Sequence, residues 1–368
     1  MARARPLVVI GAALALLAVA AIAYLRPPAP APAAHQTPAP FAVEAWRFTA
    51  TGSGWVAVRG PAAAGGHSTL YATRDGGLSW TRLSLLGVSA YVTWLDLFDS
   101  DHGVVQLTRD QSDGRASLLA TDDGGRSWHE LQLPGRPRVG TPWFLDRRHG
   151  WFVTPESLTR TADGGRTWTD LAGAGLPASG GRGPISFVTP ERGFLIHTTI
   201  SFGVDLYATE DGGQTWRRLE LPATAGVPGP ASLGAVRGFG ESAAFAAPRV
   251  DYLQSEVSGW VYRSPDGRRD WEARALPDAA GFRVRSVALI NLGEWWMADG
   301  GALWVTTDGG GHWDRRPAFL PGRAVLGELQ AANGRDAWSA GYASPDANAG
   351  AVLLRTIDGG RHWTALAL

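Results

Sequence analysis

Seven aspartates in this sequence share one setting, Thr/Ser-x-Asp-Gly-Gly-x-x-Trp. They are Asp75 before Trp80, Asp123 before Trp128, Asp163 before Trp168, Asp211 before Trp216, Asp308 before Trp313 and Asp358 before Trp363. Asp266 before Trp271 is a degenerate copy, with Arg268 where the others carry a second glycine. A carboxylate at such a spacing does acid–base work only with a second titratable group beside it. Here its neighbours are a hydroxyl and glycines, and that is the chemistry of a turn. The carboxylate and hydroxyl accept backbone N–H bonds across a tight hairpin, and glycine supplies positive φ. The tryptophan is expected to fold back over the hairpin and bury its ring in its own repeat. All fourteen residues are therefore read as structural.

Other reactive residues are scarce. The 34 basic residues are all arginine and there is no cysteine, which excludes cysteine nucleophiles, disulfides, thiolate metal sites, Schiff-base lysines and phosphate-loop lysines. Basic and acidic residues balance at 34 each, which speaks against nucleic acid as a partner. His102 and His149 occupy equivalent positions, as do His312 and His362 ahead of motif tryptophans, so turn chemistry explains them better than a metal cluster does. The acidic runs Asp110 to Asp113 and Asp122-Asp123 lack the spacing of a calcium loop. Tyr71, Tyr207 and Tyr262 each shortly precede a motif, where packing accounts for them. No catalytic residue, cofactor or metal site is expected.

The elements that carry these residues follow from periodicity. Successive motif aspartates are 48, 40, 48, 55, 42 and 50 residues apart, the period of propeller blades. Short β-branched and aromatic runs precede each motif, as in Val92 to Phe98 followed by His102-Gly103-Val104-Val105, and no helix-length periodic segment interrupts them. Each repeat thus reads as four strands, a to d, with the motif joining c to d. Residues 41–368 are expected to form an all-β, seven-bladed propeller of four-stranded blades. Strand a of the first blade should begin near Val43 and strand d of the last should end near Leu368, so that the ring closes by packing alone. The turn carrying Arg268 is expected to be strained or rearranged, and Trp271 to matter less to stability than Trp128.

Before the repeats, Arg3 and Arg5 lead into an apolar stretch from Leu7 to Leu25, so residues 1–26 read as a signal anchor or a signal peptide. The positive-inside rule then puts the remainder outside the cytoplasm, periplasmic or at the cell surface, either anchored to the cytoplasmic membrane or secreted. Residues 27–40, rich in Pro and Ala, read as a semi-rigid linker.

With Asp-x-x-His-Gly-Trp placed ahead of Thr-x-Asp-Gly-Gly-x-x-Trp, residues 41–368 resemble Asp-box, or bacterial neuraminidase (BNR), repeat propellers. The combined pattern is most similar to photosystem II assembly/stability-factor propellers, and its repeats are shared with sialidases, sortilin-type receptors and xyloglucanases. The resemblance implies a non-catalytic binding or assembly module whose partner is an exported or membrane protein segment. A secreted sialidase-type glycoside hydrolase, or a propeller that binds glycans without chemistry, is the alternative. The sialidase-type arginine triad, Tyr/Glu pair and opening Phe/Tyr-Arg-Ile-Pro motif are absent, the nearest string being Pro248-Arg249-Val250-Asp251-Tyr252.

In a four-stranded blade with strand a innermost, a–b and c–d turns share one face. The long d–a and b–c loops, including Leu171 to Pro184 and Pro248 to Gly259, share the other, and variable loops are where binding usually lives. Arg136, Arg138, Arg182, Arg283 and Arg323 lie on or near d–a connections. They either bind an anion or carboxylate of a partner near the channel mouth or simply solubilise loops in a chain without lysine.

Overall fold

The computed structural model describes residues 41–60, 66–85, 90–109, 115–133, 140–178, 180–198, 204–222, 237–239, 242–250, 257–277, 286–299, 302–345 and 350–368. The segments expected as anchor and linker lie outside these. Among the described residues, 28 strands form seven four-stranded antiparallel sheets, each a meander of four consecutive strands. The first sheet is β1 (Ala42–Phe48), β2 (Gly54–Arg59), β3 (Ser68–Thr73) and β4 (Thr81–Leu83). The innermost strands of the following sheets are β5 (Ala90–Leu97), β9 (Thr141–Phe144), β13 (Gly181–Phe187), β17 (Arg237–Phe239), β21 (Ser286–Leu289) and β25 (Val325–Ala331). Among these inner strands β1 touches β5, β9 touches β13 and β21 touches β25, which sets strand a toward the axis. The fold is the seven-bladed propeller that the repeat period predicts.

The core is divided into seven clusters, and each lies between two adjacent blades. Trp128, for example, packs on Trp55 of the preceding blade with ring centroids 5.4 Å apart. The motif tryptophans therefore pack between blades, where the sequence reading put them within one. The physical reason is thickness: a blade is a single sheet with two apolar faces and no interior of its own, so it buries them only against its neighbours. Trp271 is as buried as Trp128, at 6% and 8% exposure, so the degenerate motif has not loosened its ring.

Among the described residues the ring closes without strand exchange. β1 pairs with β2, and the last strand, β28 (Thr364–Leu366), pairs with β27 (Ala351–Thr356) in its own sheet. Gln330 of β25 accepts the Phe48 amide at 3.0 Å and donates to the Trp46 carbonyl at 3.0 Å, joining last blade to first. Trp338 in β26 (Ala337–Tyr342) donates its indole N–H to the Gly76 carbonyl at 3.0 Å, and Arg355 Nη1 donates to the Asp75 carbonyl at 2.9 Å.

Some loops are shorter than the sequence implies. β13 begins at Gly181, with a register shift between Arg182 and Ile185 that accommodates Gly183 and Pro184, so Leu171 to Pro184 is not all loop. Likewise β18 (Ser242–Val250) and β19 (Val257–Ser264) continue their ladder through Pro248↔Gly259 and Val250↔Val257. Pro248 to Val250 and Val257 to Gly259, expected in a connection, are strand.

Candidate functional site

Each motif is a hydrogen-bonded knot. In the first, Thr73 Oγ1 donates to Asp75 Oδ1 at 2.7 Å and accepts the Gly77 amide at 2.9 Å. Ser79 donates its amide and its hydroxyl to the same carboxylate, at 2.9 and 2.6 Å. Gly76 and Gly77 take φ of +78° and +97°, the left-handed region that requires glycine. His312 and His362 stand where the other motifs have Ser or Thr, and each Nδ1–H donates to the motif carboxylate, at 2.6 and 2.7 Å. Every motif carboxyl is held below the usual carboxylate range. For Asp163 the value falls to about 2, through the Thr167 hydroxyl and then the Thr167 amide.

The turn at Asp266 is rearranged. Its carboxylate accepts the Arg268 and Arg269 amides at 2.8 and 3.1 Å, whereas the others accept the amide four residues on. Asp270 replaces the hydroxyl residue that would have completed the usual knot.

The turns between strands a and b are capped by a different carboxylate. Asp99 Oδ1 accepts the Asp101 and His102 amides at 2.8 and 2.9 Å and faces His102 Nδ1 at 2.7 Å. Asp146 repeats this with Arg148 and His149. The glycine after each histidine is sterically required: a Cβ on Gly150 would sit 2.5 Å from Phe144 Cε1. One backbone bond ties the two turns of a blade, as in Gly124 N to Asp101 O at 2.7 Å and Gly164 N to Arg148 O at 2.9 Å. The a–b turns and Asp motifs thus share one face.

A cavity of about 930 Å³ opens on that face, at the inner ends of the first three blades. Its floor is apolar: Phe98, Trp143 and Leu145 are half-buried and Phe144 is buried. Its rim is charged. Arg47 pairs with Asp96 at 3.0 Å, and Asp99 and Asp146 are occupied in capping their turns. Asp163 is held in its motif knot and Arg166 Nη1 donates to the Asp163 carbonyl at 3.1 Å. Asp122 lies 3.8 Å from His102 Nε2. Arg147 and Arg148 are exposed, and among the described residues their guanidinium groups meet no ion pair or hydrogen-bond acceptor.

Of the arginines expected to bind a partner, Arg136, Arg138 and Arg283 lie outside the described residues. Arg182 is half-buried in β13, cross-strand from His197, and Arg323 is exposed in the turn before β25, three blades away. Tyr207 and Tyr262 are buried, and Tyr71 packs against the cluster that closes the ring. Among the described residues no group of three or more His, Asp or Glu side chains is placed to hold a metal ion, and no helix is long and apolar enough to cross a membrane. Sequence reasoning did not single out Arg147 and Arg148, which a capped a–b turn presents as two adjacent exposed cations.

No family model matches the chain. Photosystem II assembly protein Ycf48 of Synechococcus sp. (strain JA-2-3B'a(2-13)) is 31% identical over 165 residues, covering 43% of this chain and 42% of that protein. The chain therefore aligns with under half the length of this relative. The solved structure of YCF48 bound to D1 peptide superposes with a TM-score of 0.57 at 19% identity, over 87% of this chain and 94% of that one.

The chain is a β-propeller resembling the photosystem II assembly factor Ycf48.

The same architecture recurs in the GH74 xyloglucanase from Xanthomonas campestris, with a TM-score of 0.58 at 17% identity, over 88% of this chain and 54% of that one. At such identity the superposition speaks for the fold alone. The Ycf48 alignment is a likeness of sequence as well.

Proposed function

We propose that this propeller is a non-catalytic assembly module that holds a peptide segment of a membrane protein, working outside the cytoplasm on an N-terminal membrane tether. The observation that carries the reading is the combined likeness to Ycf48, in sequence over 165 residues and in fold to a structure with a bound peptide. The chemistry agrees, because the repeated carboxylates are consumed in turn bonds and the exposed arginines offer recognition without a nucleophile. The tether rests on Arg3, Arg5 and the apolar stretch from Leu7 to Leu25.

Fluorescence anisotropy of the full chain in detergent with a labelled D1 peptide tests the reading, beside hydrolysis assays on a fluorogenic sialoside and xyloglucan. Saturable peptide binding without turnover is expected. Turnover of either glycan with no peptide binding would overturn it. A C-terminal alkaline phosphatase fusion, active only outside the cytoplasm, checks the topology.

A further inference from the structure

We infer that a pocket between the last and first blades binds an organic cation, an alkylammonium or guanidinium group, against the Glu328 carboxylate and the rings of Phe41, Trp46 and Tyr342. The site stands apart from the assembly-module reading and does not rest on it.

Charge and ring chemistry carry the inference together. The pocket, of about 520 Å³, lies at the ring-closing seam where β1 and β25 begin, β26 ends and β27 begins, so it opens on the face opposite the Asp motifs. Its charged lining residues are Glu44 and Glu328, and no basic residue lines it. Glu44 is answered within the protein, by Arg59 at 3.1 Å and by the Ser68 hydroxyl. Glu328 is exposed; its Oε2 accepts the Trp46 indole N–H at 2.9 Å, and among the described residues no cation pairs with it. The charge left to be answered here is therefore negative. It stands beside three aromatic side chains, Phe41 half-buried, Trp46 buried and Tyr342 exposed. Ring faces attract a cation through their quadrupole and also cover the carbon skirt of an organic one. A metal ion would want several oxygens and gains nothing from such rings.

The seat is built before a ligand arrives. β25 shifts register between Val325 and Glu328, and the bulge is pinned where the Gly327 amide donates to the Ser339 hydroxyl at 3.0 Å. A Cβ on Gly327 would collide with the Ala340 carbonyl and one on Gly341 with the Val325 carbonyl, so this pair of glycines lets β25 and β26 press together there. The Trp46 bond then orients the carboxylate, and the Ala351 amide holds the Phe41 carbonyl at 3.0 Å. Such pre-ordering lowers the cost of binding, and the volume is that of a small-ligand site.

The test is isothermal calorimetry on the full chain with two cations, choline and acetyl-arginine amide, each beside its neutral isostere, 3,3-dimethylbutan-1-ol and acetyl-citrulline amide. At least one cation is expected to bind about tenfold or more tightly than its isostere. Glu328→Gln, whose amide oxygen still accepts the Trp46 indole, should lose that preference with an unchanged thermal melt, and Tyr342→Ala should weaken binding several-fold. Glu130→Gln, an exposed carboxylate in another blade, should bind as the wild type does. Preference for the arginine amide assigns the cation to a basic side chain of a partner and preference for choline to a free quaternary amine; either sustains the site. Equal affinity for cation and isostere, no saturable binding of either cation, unaltered binding by Glu328→Gln, or an equal loss in Glu130→Gln would overturn it.

Discussion

Phe48 of the first blade lies flat on Trp338 of the last, with ring centroids 4.4 Å apart and planes 8° from parallel. The same relation joins the third and fourth blades, where Trp151 and Phe187 stack at 3.5 Å and 4°. In both places an arginine covers the tryptophan, Arg355 at 5.7 Å and Arg160 at 5.5 Å, and the indole donates to a motif-glycine carbonyl, Gly76 or Gly212. Among the described residues, ring closure thus uses an ordinary interblade contact.

Trp338→Ala should accordingly cost about 3–5 kcal/mol, as expected for a large buried aromatic. Trp338→Phe keeps the stack and loses the bond to Gly76, and should cost about 1–3 kcal/mol because the carbonyl is left without its donor. Urea denaturation followed by tryptophan fluorescence measures both. A cost near zero for the alanine variant would mean that the first and last blades do not hold each other.

Trp128→Ala and Trp271→Ala should be equally damaging, each about 3–5 kcal/mol. The two rings are buried to the same extent and each sits in a cluster shared with the preceding blade. The altered turn at Arg268 changes which amides meet Asp266 without exposing the tryptophan. A clearly milder loss at Trp271 in parallel denaturation curves would restore the idea of a weak fifth blade.

Acid should unfold the protein in a defined window. The motif carboxyls are depressed in the folded state, Asp163 from 3.8 to about 2, so the unfolded chain takes up protons first as pH falls. The stability that they contribute is fully present above about pH 4 and is lost as pH drops toward about 2. Thermal melts should therefore be flat with respect to these groups from pH 6 to 4 and fall steeply below. Asp163→Asn should lower stability at pH 6 and flatten its share of the acid slope; an unchanged slope would place the acid sensitivity elsewhere.

How much of this was legible in the sequence depends on what a residue touches. The blade count and strand order were legible because each motif carries its own partners within six residues, Thr73 to Ser79 being one complete knot. The tryptophan contacts were not, since Trp128 meets Trp55, which is 73 positions earlier in the numbering and in another blade. Local chemistry says that the ring must be buried; only the single-sheet thickness of a blade says against what. The cavity was hidden for the same reason. Its lining comes from three blades, and Arg147 and Arg148 stand in a short a–b turn that looks like a plain connection.

Hydrogen exchange read by mass spectrometry on the full chain, with and without a saturating D1 peptide, tests the central claim that the propeller holds a peptide segment. The account predicts slowed exchange in connections between strands on one face of the propeller, with little change elsewhere. No protection anywhere at saturating peptide would contradict it.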